Sequence, residues 1–228
     1  MIRRSSADRW EVIPILSVAA ESRLPRAVTI HAIHIDTVRG MDWEPVCKRL
    51  PERMEKAKRY RHERDRLLCV GAGILLLKCV EIRDESELRY GMHGKMYAPG
   101  HSAFSLSHSG DWCVLATGAA DIGVDIERID SANLQVAPLV FTPAERSWMQ
   151  EKPVESFHIL WTLKESVMKA TGLGMRLKAE SFEVLPFCFG APIALLGRTW
   201  YAATGTLDSH RYSVCASYPI KADITFPV

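Results

Sequence analysis

The run Ile122-Gly123-Val124-Asp125-Ile126-Glu127 constrains the fold of this chain more than any other stretch. Apolar Ile122, Val124 and Ile126 alternate with Gly123, Asp125 and Glu127, the period of a strand with one face on a core. Both carboxylates then leave together on the side opposite that core. Gly123 leaves room there for a ligand or another backbone to come close. A second run, Trp161-Thr162-Leu163-Lys164-Glu165-Ser166-Val167-Met168-Lys169, is helical in spacing, with Glu165 and Lys169 one turn apart on one side. Three carboxylates and a lysine are the groups that a hydrated magnesium ion and a diphosphate require. Each part alone also has a plainer reading. A surface strand often carries two exposed acids, and an i,i+4 Glu–Lys pair stabilises a helix by about 0.2–0.5 kcal/mol.

At 228 residues, 47% of them hydrophobic and 25% charged, the chain suits one large globular domain or two small ones. A net charge of +2 argues against bulk nucleic-acid or membrane binding. Basic residues are nevertheless concentrated at Arg53, Lys56, Lys58, Arg59, Arg61, Arg64 and Arg66, interrupted by Glu52, Glu55, Glu63 and Asp65. That pattern reads either as a solvated helix face or as a docking surface for phosphates or an acidic protein. The six cysteines show no metal-ligand spacing, and Cys69, Cys79, Cys113 and Cys215 sit in apolar runs as reduced core thiols. With no secretory signal visible, a cytoplasmic protein is expected. Leu67 to Leu77 is too short an apolar run to cross a bilayer and reads as a buried helix.

Residues 1–27 lack periodicity and read as an N-terminal extension, followed by subdomains at 28–118 and 119–228. Val28 to Ile35 alternates as a first strand, and Pro51 to Val80 reads as one or two helices. Phe104–Ser107 and Trp112–Thr117 form a hairpin across His108-Ser109-Gly110-Asp111. Thr142-Pro143-Ala144-Glu145 predicts a capped helix start. A further helix spans about Glu155 to Ala170 and stops at Gly172. Strands are expected at Ser181–Leu185, Thr199–Ala203 and Tyr212–Ser217. Each half has a strand, helical segments and further strands, which suggests an α+β fold of two similar subdomains.

Outside the acidic runs, Ser107-His108-Ser109 reads either as turn chemistry or as a phosphate-binding strand end. Glu145 is explained by its capping box, and Lys95 by an ordinary loop without P-loop spacing. No GxSxG elbow supports a Ser-His-Asp hydrolase.

Phe104-Ser105-Leu106-Ser107-His108-Ser109, Gly123-Val124-Asp125-Ile126-Glu127 and Trp161 through Lys169, in that order, resemble the 4'-phosphopantetheinyl transferase family. The resemblance is to its larger, Sfp-like class, with two similar halves in one chain, and covers roughly Val28 to Ser217. It implies transfer of the phosphopantetheine arm of coenzyme A to a serine of an apo acyl, polyketide or peptidyl carrier protein, with release of adenosine 3',5'-bisphosphate. It also implies magnesium held by Asp125, Glu127 and Glu165 in a cleft between the halves, and a monomer. By the same resemblance Lys169 neutralises diphosphate charge, His108 donates to a phosphate, and Ser107 and Lys95 grip the nucleotide. Arg53 and Lys56 reach the 3'-phosphate, with Arg66 nearby but out of register. Glu165, or alternatively Glu145, is the base. The sequence departs from the family pattern at Met96, where proline usually follows the lysine, and at Ser105, where asparagine is frequent. Two rival readings are another magnesium-dependent phosphotransferase and a non-catalytic carrier-protein binder.

Overall fold

A computed structural model of the chain describes residues 24–131 and 134–227, together with a short antiparallel pairing of Arg3–Arg4 with Trp10–Glu11. Most of the expected N-terminal extension therefore lies outside the described residues. The first main strand, β1 (Arg26–His34), begins slightly before the position expected for it.

The charged and apolar halves of Pro51–Val80 become two helices. Helix α1 (Pro51–Arg59) starts on its proline, and Glu85 accepts from the exposed amides of Glu52 and Arg53 at that end. Helix α2 (Glu63–Leu75) is buried along Leu67–Leu75 and tightens into a π-helical turn at Leu76–Val80. The expected hairpin forms from β2 (Ala103–Ser109) and β3 (Trp112–Gly118), and β4 (Ile122–Arg128) follows. Helix α3 (Pro143–Trp148) carries the anticipated capping box between Thr142 and Glu145. The long helix α4 (Pro153–Thr171) ends at Gly172, which adopts φ 74°. Strands β5 (Ile193–Leu195), β6 (Arg198–Leu207), β7 (His210–Ala216) and β8 (Ile220–Thr225) complete the chain.

Two four-stranded sheets result. The first has the order β8-β1-β3-β2, with β8 parallel to β1; the second has the order β4-β7-β6-β5, antiparallel throughout. Strand β8 comes from the second half of the chain yet completes the sheet of the first half. One strand expectation fails. Ser181–Leu185 is not extended into a ladder; it lies between a 3-10 turn at Ala179–Ser181 and a helical turn at Leu185–Cys188. The carbonyls of Ala179 and Phe182 accept from the buried Lys164 ammonium, and the Val184 amide donates to Glu145. With these groups committed to side chains, no strand partner is needed.

The sheets share a core. Val28, Ile30, Val114 and Ala116 of the first cluster with Ile122, Val124, Ile126 and Val214 of the second. A separate cluster packs α2 on the first sheet, and another packs Phe157, Leu160, Leu163 and Val167 of α4 on the second. Burial of each such side chain contributes about 1.5–3 kcal/mol. Where β2 meets β4, serine hydroxyls join the two strands: Ser105 Oγ accepts from the Val124 amide at 3.1 Å and Ser109 Oγ from the Arg128 amide at 3.1 Å.

Candidate active site

Strand β4 directs Ile122, Val124 and Ile126 into the shared core and turns Gly123, Asp125 and Glu127 the other way, as the alternation predicts. That second face is not open to solvent. Helix α4 lies so close that a Cβ on Gly123 would sit 2.0 Å from the Ser166 carbonyl oxygen and 2.4 Å from the Ala170 amide nitrogen. The glycine sets the depth of the helix and brings Glu165 and Lys169 beside the strand's acids.

Asp125 is only 3% exposed. Its Oδ1 accepts from Lys169 Nζ at 2.7 Å and from Ser107 Oγ at 2.8 Å, while its Oδ2 is buried with no partner. Lys169 Nζ also donates to Ser107 Oγ at 2.8 Å. Glu127 accepts from Ser109 Oγ at 2.8 Å. Burial first, and then the charge of Asp125, push the Glu127 carboxyl up to about 7, against the pull of Ser109, Lys169 and Trp161. The Glu165 carboxyl is raised for the same two reasons and is lowered only by Lys169. Asp125 thus repels both Glu127 and Glu165 beside a single ammonium. Among the described residues, no three His, Cys, Asp or Glu side chains are gathered at metal-ligating distance, and Lys169 serves as Asp125's counter-charge.

Two cavities adjoin this cluster. One, of about 290 Å³, is lined by His93, Lys95, Met96, Phe104, Leu106 and Lys169, among others. The other, of about 80 Å³, is lined by Arg53, Lys56, Tyr60, Asp65, Cys69 and His108, among others. Arg53 Nε is buried there without a partner. The His108 pKa is lowered, first by loss of water around the ring and then by Lys169 and Lys56, so the imidazole is neutral near pH 7.

Eight of the expected site residues fall into two groups, and Lys95, Arg66 and Glu145 lie outside them. Asp125, Glu127, Glu165, Lys169 and Ser107 come together, and Arg53, Lys56 and His108 share the smaller cavity. Lys95 lines the larger cavity, but its ammonium donates to the carbonyls of Ile122 at 2.8 Å and Ala170 at 3.1 Å, tethering its loop to β4 and the end of α4. Arg66 is exposed on α2 and lines neither cavity. Glu145 stands apart from the acidic cluster. It is fully buried, accepts from the Thr142 and Val184 amides, both at 2.9 Å, and pairs with Lys164 at 2.9 Å. Its carboxylate belongs to the fold and faces no cavity described above.

Lys164 escaped the sequence reading even though it lies inside the quoted motif. Its signal was positional: it falls on the apolar stripe with Leu160, Val167 and Met168, where an unpaired lysine is hardly ever tolerated. Ser109 was also missed as a partner of Glu127, because that contact joins two strands that are not hydrogen-bonded neighbours in one sheet.

The 4'-phosphopantetheinyl transferase superfamily matches this chain over residues 121–221, which contain β4 and α4. The chain is 29% identical over 191 residues to the 4'-phosphopantetheinyl transferase Sfp of Bacillus subtilis strain 168, covering 77% of this chain and 85% of that protein. It is 32% identical over 145 residues to another 4'-phosphopantetheinyl transferase of Bacillus subtilis, over 58% of this chain and 64% of that one. Against the 4'-phosphopantetheinyl transferase gsp of Aneurinibacillus migulanus, identity is 38% over 112 residues, 47% of each chain. The aligned stretch thus spans less than two-thirds of two of these three relatives. Over these stretches the chain is similar to 4'-phosphopantetheinyl transferases, Sfp and gsp among them.

Proposed function

We propose that this protein transfers the 4'-phosphopantetheine arm of coenzyme A to a serine of an apo carrier protein, giving the holo carrier and adenosine 3',5'-bisphosphate. The observation that carries this reading is the convergence of Asp125, Glu127, Glu165 and Lys169 between β4 and α4, beside two cavities. One cavity shares Lys169 and the other presents Arg53, Lys56 and His108. The second set suits the phosphates of a nucleotide, since Arg53 Nε is buried and free to donate.

The chemistry of the donor set suits a magnesium ion, although the three carboxylates are not gathered at ligating distance. Asp125 Oδ2 is buried without a partner, and the carboxyls of Glu127 and Glu165 are raised in part by the charge of Asp125. Three oxygen donors with surplus negative charge suit a small hard cation. Asp125, Glu127 and Glu165 would hold it, and its positive charge would offset that of the diphosphate. The remaining steps belong to the side chains. Lys169 donates to the diphosphate and to the departing bisphosphate, neutral His108 donates to a phosphate oxygen, and Ser107 holds Lys169 in place. The carrier serine oxygen forms a bond to the β-phosphorus as the bond to the leaving phosphate oxygen breaks. Glu165, whose carboxyl is raised by burial and by Asp125, accepts the serine proton. Glu145 is less suited to that role because Lys164 and two amides already occupy its carboxylate.

The same reading treats the chain as two similar α+β subdomains, 28–118 and 119–228, related by a pseudo-twofold, with β8 exchanged into the first sheet. Both sheets lying in one chain supports reading it as a monomer. All six cysteines are free, which fits a reducing cytoplasm, and among the described residues no helix is long and apolar enough to cross a membrane.

Intact-mass measurement of an apo carrier protein incubated with this chain, coenzyme A and magnesium tests the reading. A phosphopantetheine mass gain abolished by EDTA is expected. No gain on fatty-acid, polyketide or peptide carriers would overturn it.

A further inference from the structure

Strands β2 and β4 meet through side chains, and three serines of β2 divide the work. Ser105 Oγ accepts from the Val124 amide and touches no carboxylate. Ser107 Oγ donates to Asp125 Oδ1 and accepts from Lys169. Ser109 Oγ accepts from the Arg128 amide at 3.1 Å and donates to Glu127 Oε2 at 2.8 Å.

The Ser109 arrangement is the informative one. A serine hydroxyl carries one proton and two lone pairs. The Arg128 amide, fixed by the strand, takes a lone pair and sets where the oxygen lies. The hydroxyl proton is then committed to Glu127 Oε2. This holds the carboxylate in one rotation, with Oε2 engaged by Ser109 and the Trp161 side chain giving the carboxyl a further hydrogen bond. Glu127 is next to Arg128 in the chain, so one hydroxyl fixes both the backbone and the side chain of the same strand end.

We propose that Ser109 is a positioning residue for Glu127: its hydroxyl, anchored on the Arg128 amide, orients the carboxylate for a divalent cation. The inference rests on the cation site proposed above and adds a residue outside its direct ligands. Groups that orient metal ligands in this way typically change affinity about 10–100-fold when removed.

Ser105 supplies the internal comparison, because it makes the same kind of strand-joining bond without reaching an acid. The test is Mn²⁺ binding, followed by electron paramagnetic resonance on the full chain without substrate, for wild type, Ser109→Ala, Ser109→Thr and Ser105→Ala. Thermal melts check that each variant is folded. We expect Ser109→Ala to weaken Mn²⁺ binding by about tenfold or more, Ser109→Thr to restore it, and Ser105→Ala to leave it near wild type. If the alanine variant does not fold, Ser109→Cys, of similar size but a weak donor, takes its place with the same expectation. Wild-type affinity in Ser109→Ala, or an equal loss in Ser105→Ala, would overturn the proposal. Absence of Mn²⁺ binding to wild type would instead overturn the cation site itself, and this inference with it.

Discussion

Lys164 Nζ and Glu145 Oε2 lie 2.9 Å apart with neither side chain exposed to solvent. The ammonium also donates to the carbonyls of Ala179 and Phe182 and sits 4.5 Å from the centroid of the Phe182 ring. The pair joins α3, α4 and the 179–184 segment at one point. Loss of one partner leaves the other charge buried, so Glu145→Ala should destabilise the protein by about 3–5 kcal/mol in urea unfolding. Changing Lys164 to Met in the same chain should recover part of that loss. Strictly additive effects would mean that the two charges are not coupled.

Glu145→Gln provides a second check on the same residue. Its amide can still accept from a backbone N–H, and turnover per folded molecule should stay within a few-fold of wild type, in contrast to changes in the acidic cluster. A loss of about 100-fold or more, the scale of general acid–base catalysis, in a protein with an unchanged melt would return Glu145 to the chemistry.

Glu165→Gln should abolish measurable transfer while the fold survives. Its carboxyl is raised by burial and by Asp125, so neutralising it removes repulsion in the metal-free protein. Carrier modification followed by mass should drop by about 10²–10⁴-fold, with a melting temperature equal to or above wild type. Near-normal turnover would exclude Glu165 as both base and ligand.

Acidic repulsion also gives stability a pH dependence in the presence of EDTA. The Glu127 carboxyl is pushed up to about 7 in the folded chain, from an ordinary value of 4.5. The folded state therefore keeps its proton where the unfolded chain has lost it, and stability falls as pH rises between these values. From one pKa unit equal to about 1.36 kcal/mol, the loss is on the order of 2–4 kcal/mol by pH 8. Glu127→Gln should flatten that decline. Parallel stability curves for the two proteins between pH 5 and 8 would contradict it.

Gly123→Ala tests how α4 is seated. The added methyl would lie 2.0 Å from a helix carbonyl and 2.4 Å from a helix amide nitrogen, both rigid backbone atoms. Overpacking of this kind costs about 1–3 kcal/mol or more, and relief requires α4 to lift from β4. Thermal midpoint and transfer rate should fall together. An unchanged rate would show that the helix position is not critical.

Much of this was legible in the sequence because local pattern and tertiary role coincide. Alternation in β4, the Thr142–Glu145 box and the Gly172 stop are each specified by a few neighbouring residues, and the structure reproduces them. Three features were not local. Ser181–Leu185 has the apolar content of a strand, but its polar backbone is bound by Lys164 and Glu145 from distant helices. Lys95 reads as a loop lysine free to hold a ligand, whereas it is tied to carbonyls at Ile122 and Ala170. The acidic face of β4 reads as open, and only the packing of α4 reveals that it is covered.

The pairing of β8 with β1 has a consequence for how the molecule is made. Thr225 and His31, hydrogen-bonded to each other, are 194 positions apart. During synthesis the first sheet waits without its edge partner while almost all of the intervening chain emerges from the ribosome. Contacts closed over so long a loop form late and slow folding. Chains stalled before that strand would expose the edge of β1, a ready template for aggregation.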